Sequence, residues 1–293
     1  MDNNNLTNTE EQQRDLQADI KKSAESVIRT ISGVDNRTTK KVLNNVISFM
    51  SSAGGAGAST LVATVAEKMK KRGYKVIIID LNIMYPSQQI YLGIEPKAKS
   101  DLLSYLTGRN NLGASIIEKN GISLMIGLNQ TIAEYIISDN RESSKMMEEA
   151  INRLSRLYDV VLIDAPNQID YDIVNTALYK SDSIYMVMDD GVQSLLNIPK
   201  IINNFELTGI HTKKIKYVMN KRTSFHYVQS NLDQFNIKLC SVIPFETGVL
   251  ESGLRGELFT VHGVSTGKTS HDYVKAIEAF TDTVLEAGGA VGE

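Results

Sequence analysis

Cysteine is nearly absent: one residue, Cys240, stands in 293. That excludes an internal disulfide framework and any CxxC metal site, and it suits a reducing compartment. No apolar run approaches the roughly 18 residues of a membrane span. The N-terminus, Met1 to Gln13, is polar and lacks the apolar segment of a signal peptide. Neither sign of charge dominates. Lys and Arg number 31 against 34 Asp and Glu, a net charge of −3, so no global basic field draws the chain to nucleic acid or anionic lipid. The four histidines (His211, His226, His262, His271) are scattered without metal-ligand spacing. These absences predict a cytoplasmic protein. What is present is ordinary for a soluble chain: 42% hydrophobic and 22% charged residues, enough for a sizeable core.

The pattern along the chain divides it in two. Residues 1–40 form a polar N-terminal extension. Within it Leu16, Ile20, Ala24, Val27 and Ile31 recur at intervals of three and four, which predicts one amphipathic helix over Glu10–Ile31. Residues 41–293 alternate strand and helix. Strands are expected at Val46–Met50, Lys75–Asp80, Ile122–Ile126, Val160–Asp164, Ser183–Met188, Ile215–Met219 and Leu239–Ile243. Several are continuously apolar, as strands buried on both faces are. Helices are expected at Ser59–Lys71, Ser100–Leu106, Glu142–Leu157, Tyr171–Tyr179, Leu195–Leu207, Ser224–Phe235 and His271–Ala287. Repeated β-α units of this kind predict an α/β fold, a mostly parallel sheet of about seven strands with helices on both faces.

The first strand runs into Ser51-Ser52-Ala53-Gly54-Gly55-Ala56-Gly57-Ala58-Ser59-Thr60, and a helix follows. Strand, glycine-rich turn and helix in that order make a phosphate cradle, because backbone N–H groups converge on an anion at the positive end of a helix. The ordinary motif is Gly-x-x-x-x-Gly-Lys-Ser/Thr. Aligned on Gly57, the first glycine is Ser52, the lysine is Ala58, and the hydroxyl is kept as Ser59. The loop shape is present and its charge is missing. Ligands of such sheets sit beyond the carboxyl ends of the strands, and acidic or polar residues fall there in turn. Asp80-Leu81-Asn82 follows one strand, Asp164-Ala165-Pro166 another, and Asn220 and Pro244 end two more. Carboxylates leaving apolar strands beside a phosphate cradle suit Mg²⁺. Ser59, Asp80 and Asp164 are therefore the candidate metal ligands, and Gly54 to Thr60 the candidate phosphate contacts.

These elements, in this order, resemble the ParA/MinD family of P-loop ATPases. The resemblance covers about Lys40 to Leu285. The family's deviant Walker A corresponds to Ala53-Gly54-Gly55-Ala56-Gly57-Ala58-Ser59, its A′ motif to Asp80-Leu81-Asn82 and its Walker B motif to Asp164-Ala165-Pro166. Its adenine-contacting Asn corresponds to Asn220, and its final Pro and helix to Pro244 with Val249-Leu250-Glu251-Ser252. The Gly-Ala-Ser-Thr ending is also similar, in part, to the TadZ/CpaE branch, which localises pilus machinery. The resemblance implies ATP and Mg²⁺ as ligands and a homodimer formed through the P-loop face. It also implies a protein partner in a larger machine for segregation, pilus assembly or conjugation.

The departures decide the expected chemistry. Both lysine positions of the family loop are alanine (Ala53, Ala58), and the second A′ acid is Asn82. Phosphoryl transfer is catalysed largely by positive charge set against developing negative charge. Losing these groups removes several kcal/mol of transition-state stabilisation, on the order of 10³-fold in rate. The expectation is a degenerate positioning or scaffold protein with weakened ATP binding. The alternative is a slow nucleotide-switched ATPase of plasmid or chromosome partition, with Asp80 and Asp164 carrying what activity remains.

Other features have plainer readings. Lys213, Lys214, Lys216, Lys221 and Arg222 form the densest basic cluster, a possible non-specific DNA contact that reads first as solvated strand flanks. The last helix carries an apolar stripe, Tyr273, Ile277, Phe280 and Val284, among acidic residues. That composition favours core packing over binding to anionic membranes. Gly267-Lys268-Thr269 imitates a Walker A ending, yet no strand precedes it, so a loop leading into the last helix is expected. Cys240, inside an expected strand, is read as a buried small apolar residue.

Overall fold

A computed structural model describes residues 42–82, 86–95, 100–127, 141–167, 171–223, 232–259 and 268–289. The chain divides into two units, Met1–Thr39 and Lys40–Glu293. The helix expected at Glu10–Ile31 lies outside the described residues, as does most of the one expected at Ser224–Phe235.

The second unit follows the alternation read from the sequence. Its strands are β1 (Val46–Ser51), β2 (Val76–Asp80), β3 (Ile117–Lys119), β4 (Ile122–Met125), β5 (Val160–Ala165), β6 (Ser183–Met188), β7 (Ile215–Arg222) and β8 (Leu239–Pro244). The helices are α1 (Ala58–Lys71), α2 (Gln88–Tyr91), α3 (Leu102–Leu106), α4 (Arg141–Leu157), α5 (Asp172–Lys180), α6 (Val192–Leu207), α7 (Thr247–Leu254) and α8 (Lys268–Ala287). The eight strands form one sheet in the order β3-β4-β2-β5-β1-β6-β7-β8. Every pairing is parallel except β3–β4. The strand beyond the seven expected is β3. It is three residues long and folds back on β4 through Asn120 and Gly121, whose φ angles of 52° and 74° suit a tight hairpin turn.

β1 lies between β5 and β6, and its first five residues are buried together with all of β2, β5 and β6. One apolar layer packs beneath α3, α4, α5 and α6, the other beneath α1 and α8. In the second layer Phe49 stacks on Tyr185 with ring centroids 5.2 Å apart, and Phe280 of α8 meets both edge-on at 6.1 and 5.4 Å. The apolar stripe of the last helix is thus core, as its composition suggested. Lys68 of α1 and Arg72, which follows its last residue, pair with Glu278 and Asp282 of α8 along the outer seam. At the amino-terminal end of β1 the Asn44 N–H donates to the Gly288 carbonyl at 2.9 Å, so both ends of the described unit meet there.

One expectation is overturned. Cys240 is exposed, not buried. β8 is one of the sheet's two outer strands, and its residues alternate between half-buried and exposed over most of its length. Among the described residues no helix is long and apolar enough to cross a membrane.

Candidate functional site

The carboxyl ends of β1, β2, β5, β7 and β8 converge on one cavity of about 540 Å³, lined by the glycine-rich loop and by residues Ser59, Asn82, Asp164, Asn220, Lys221 and Pro244 among others. The loop turns where Gly55 and Gly57 adopt φ of 82° and 94°. Gly57 caps α1, and its carbonyl accepts the Leu61 N–H at 3.1 Å. The glycine-rich loop and the amino-terminal end of α1 therefore line a cavity, the arrangement that binds phosphate. Within the loop the Ala56 N–H donates to the Ala53 carbonyl at 3.3 Å and the Ala58 N–H to the Ser51 hydroxyl at 3.4 Å. The loop is fastened from outside. Ser52 donates its N–H to Val187 O at 2.8 Å, and its own carbonyl accepts from the Asn197 side chain at 2.9 Å.

Parallel register sets Asp80 directly beside Asp164 on β2 and β5, and both are buried. Their roles separate at this point. Asp80 accepts the backbone N–H groups of Asn82 at 2.9 Å, Ser87 at 3.0 Å and Gln88 at 3.1 Å. Both of its oxygens thus tie down the chain that leads into α2, and Asp80 serves as a turn lock behind the cavity. Asp164 faces the cavity instead, with the Ser59 hydroxyl hydrogen-bonded to it. The Gln88 side-chain amide donates to Asp164 at 2.7 Å and to the Ser59 carbonyl at 2.9 Å, and its own oxygen is buried without a partner. Burial pushes the Asp164 carboxyl up to about 6, although the Gln88 and Ser59 bonds pull it down. Burial and the Asp164 charge push Asp80 up as well, against its three N–H donors.

The donor set fits Mg²⁺ in part. A hydroxyl and a carboxylate in contact at the cavity wall are the hard oxygen ligands that the ion prefers. Of the three metal ligands expected, the structure brings Ser59 and Asp164 together in the lining and withholds Asp80. Among the described residues no cluster of three His, Cys, Asp or Glu side chains could hold a metal by itself.

Asn220 and Lys221 at the end of β7 close the other side. The Asn220 amide donates to the Ala56 carbonyl at 2.8 Å, and the Lys221 ammonium donates to the Gly55 carbonyl at 2.6 Å. They press on Gly57 so closely that a Cβ there would stand 2.5 Å from Asn220 Nδ2. Thr60 bonds Tyr91 through its hydroxyl at 3.2 Å. The basic cluster is not a single patch. Lys213 and Lys214 lie in the turn before β7 and Lys216 near its start, with Lys214 on the Tyr179 carbonyl, whereas Lys221 and Arg222 sit at its end, about 17 Å or more from Lys216 at strand rise. Gln88, which holds Asp164, and Asn197, which holds the loop, are supporting residues that the sequence does not signal, because neither belongs to a motif.

Residues 44–217 match the family model described as an AAA domain. The chain is 24% identical over 258 residues to the septum site-determining protein MinD of Neisseria meningitidis serogroup B, covering 83% of this chain and 91% of that one. Among solved structures it resembles MinD of Pyrococcus horikoshii complexed with Mg-ADP, with a TM-score of 0.68 and 20% identity over 83% of this chain and 98% of that one. It also resembles a ParA family ATPase from Chlorobium tepidum, with a TM-score of 0.69 and 17% identity over 81% and 98% of the two chains.

Proposed function

The chain belongs to the ParA/MinD family of P-loop ATPases, and from that premise we propose that it is a nucleotide-binding positioning protein with slow or lost hydrolysis. The observation that carries this reading is a cradle kept while its charge is removed. Gly55 and Gly57 hold the turn and Ser59 meets Asp164, yet the two family lysine positions, Ala53 and Ala58, are small side chains 7% and 3% exposed. ATP or ADP is the expected ligand, supported by the Mg-ADP in the Pyrococcus horikoshii neighbour. Ser59 and Asp164 are the residues to hold Mg²⁺, which supplies charge neutralisation to the phosphates when bound. The chain's own residues position the ligand: loop N–H groups receive the phosphates, and Asp80 and Gln88 keep Asp164 and α2 in register. What is missing is the cationic contact from the loop to the transferring group, and electrostatic contacts of that kind dominate catalysis of phosphoryl transfer.

Association of two copies through the P-loop face fits the apolar rim of the cavity. Ile90, Leu250 and Leu254 are 54%, 50% and 90% exposed there, the kind of surface that marks a partner-binding site. The associated form would place a larger assembly, whether a segregation, pilus or conjugation machine. The second reading, a slow ATPase switch, is favoured by Lys221, which keeps one cation at the loop.

Calorimetric titration with Mg²⁺-ATP, run beside a phosphate-release assay, tests this. Micromolar binding with turnover on the order of 10³-fold below typical enzyme rates, and faster turnover in Ala58→Lys, are expected. No binding by the wild type, or full turnover that Asp164→Ala abolishes, would overturn the reading.

A further inference from the structure

We infer that Lys221 is the cation of the phosphate cradle, engaging the polyphosphate of a nucleoside di- or triphosphate from β7 in place of a lysine on the loop. The inference rests on the nucleotide-binding reading above. Among the described residues that line the cavity Lys221 is the single cationic side chain, and Asp164 and Glu246 are the acidic ones. Without it the lining would present only negative formal charge to an anionic ligand, which opposes binding.

Its position is built by the backbone. Met219 pairs with Val242 and Arg222 with Pro244, so three steps along β7 oppose two along β8, and one residue is extra. Lys221 lies in that bulge with φ of 55°, a left-handed conformation that a lysine seldom adopts. Bulges beside sites re-aim a side chain out of the strand's alternation. Here the side chain is aimed across the loop: its Cε lies 3.3 Å from where a Cβ on Gly57 would stand, and its ammonium reaches the Gly55 carbonyl at 2.6 Å. A solvated strand flank, as Lys213 is, needs neither the bulge nor the strained φ. An ammonium has three donors. The Gly55 carbonyl takes one, which leaves two for phosphate oxygens held by the same loop.

The test is calorimetric titration of Mg²⁺-ADP into wild type, Lys221→Met and the double variant Lys221→Met/Ala58→Lys, with thermal unfolding of each without nucleotide. If Lys221 is the cradle cation, Lys221→Met weakens binding at least tenfold, flattens its salt dependence, and shifts the unfolding midpoint little. The lysine restored at position 58 then recovers most of the affinity. Equal binding by wild type and Lys221→Met overturns the inference. So does a loss that Ala58→Lys fails to recover and that comes with a lowered midpoint, which assigns Lys221 to holding the loop alone. Absence of binding by the wild type is a separate result and defeats the nucleotide-binding reading itself.

Discussion

Replacing Gly57 by alanine probes the contact on which the loop geometry depends. Gly57 has φ of 94°, so any Cβ there carries a backbone cost of about 1 kcal/mol. The new Cβ would stand 2.5 Å from Asn220 Nδ2, a distance no pair of such atoms tolerates, and Asn220 must therefore withdraw. Withdrawal breaks the 2.8 Å bond to the Ala56 carbonyl, which is buried and loses its partner at a cost of about 1–3 kcal/mol. The two costs together predict a loss of roughly 2–4 kcal/mol, or a fall in unfolding midpoint of roughly 4–16 °C for a unit of this size. Thermal and denaturant unfolding of Gly57→Ala, Asn220→Ala and the double variant form a cycle. Because Asn220→Ala removes the clashing amide in advance, Gly57→Ala in that background should lose only the backbone contribution of about 1 kcal/mol. An identical cost in both backgrounds, or a Gly57→Ala protein as stable as wild type, would refute the claim that Asn220 seats the loop.

The carboxyl pair predicts a pH dependence. Burial raises Asp164 from 3.8 to about 6, so between those values the folded state holds a proton that the unfolded chain releases. Stability therefore falls as pH rises from about 4 to about 6, by on the order of 3 kcal/mol for this group. Denaturant titrations at pH 4 and pH 7 should show that Asp164→Asn loses most of this slope; parallel dependence in variant and wild type would contradict it. In the core, Phe280→Ala removes the ring that meets Phe49 and Tyr185 edge-on. It should cost about 3–5 kcal/mol in chemical denaturation, and a loss below about 1 kcal/mol would show that the cluster repacks without it.

The sheet is legible in the sequence because its strands are buried on both faces. Continuous runs such as Val76–Ile79 and Val160–Ile163 have few alternatives, and both fall where expected. β3 escapes such reading because three residues offer no period, even though the Asn120-Gly121 turn is a usable hairpin signal. At the site, motif spacing locates Gly55, Gly57, Ser59 and Asp164 because each sits at a strand end or helix start. It does not reveal that Asp80 turns its oxygens to the backbone of Asn82, Ser87 and Gln88, since a strand-end aspartate looks the same whether it faces a cavity or a turn. Gln88 and Lys221 act through long side chains whose direction depends on a short helix and a bulge, features of pairing rather than of composition. Cys240 misleads for a related reason: burial of a strand residue depends on whether the strand is central or outermost, and that order follows from topology.

The bond from Asn44 to Gly288 has a consequence for connectivity. The backbone before β1 and the backbone after α8 lie side by side, with a Cβ on Gly289 falling 3.7 Å from Leu43 Cβ. They do so at the amino-terminal end of β1, whereas the phosphate loop leaves its carboxyl end. A short linker could therefore join residues 289 and 42 while the chain is opened elsewhere, at a surface loop away from the cavity. The order in which the strands are made would change, and the neighbours of each strand would not. For the same reason a reporter domain fused at either of these positions would start from the end of the sheet opposite the cleft, leaving the rim of Ile90, Leu250 and Leu254 open to a partner.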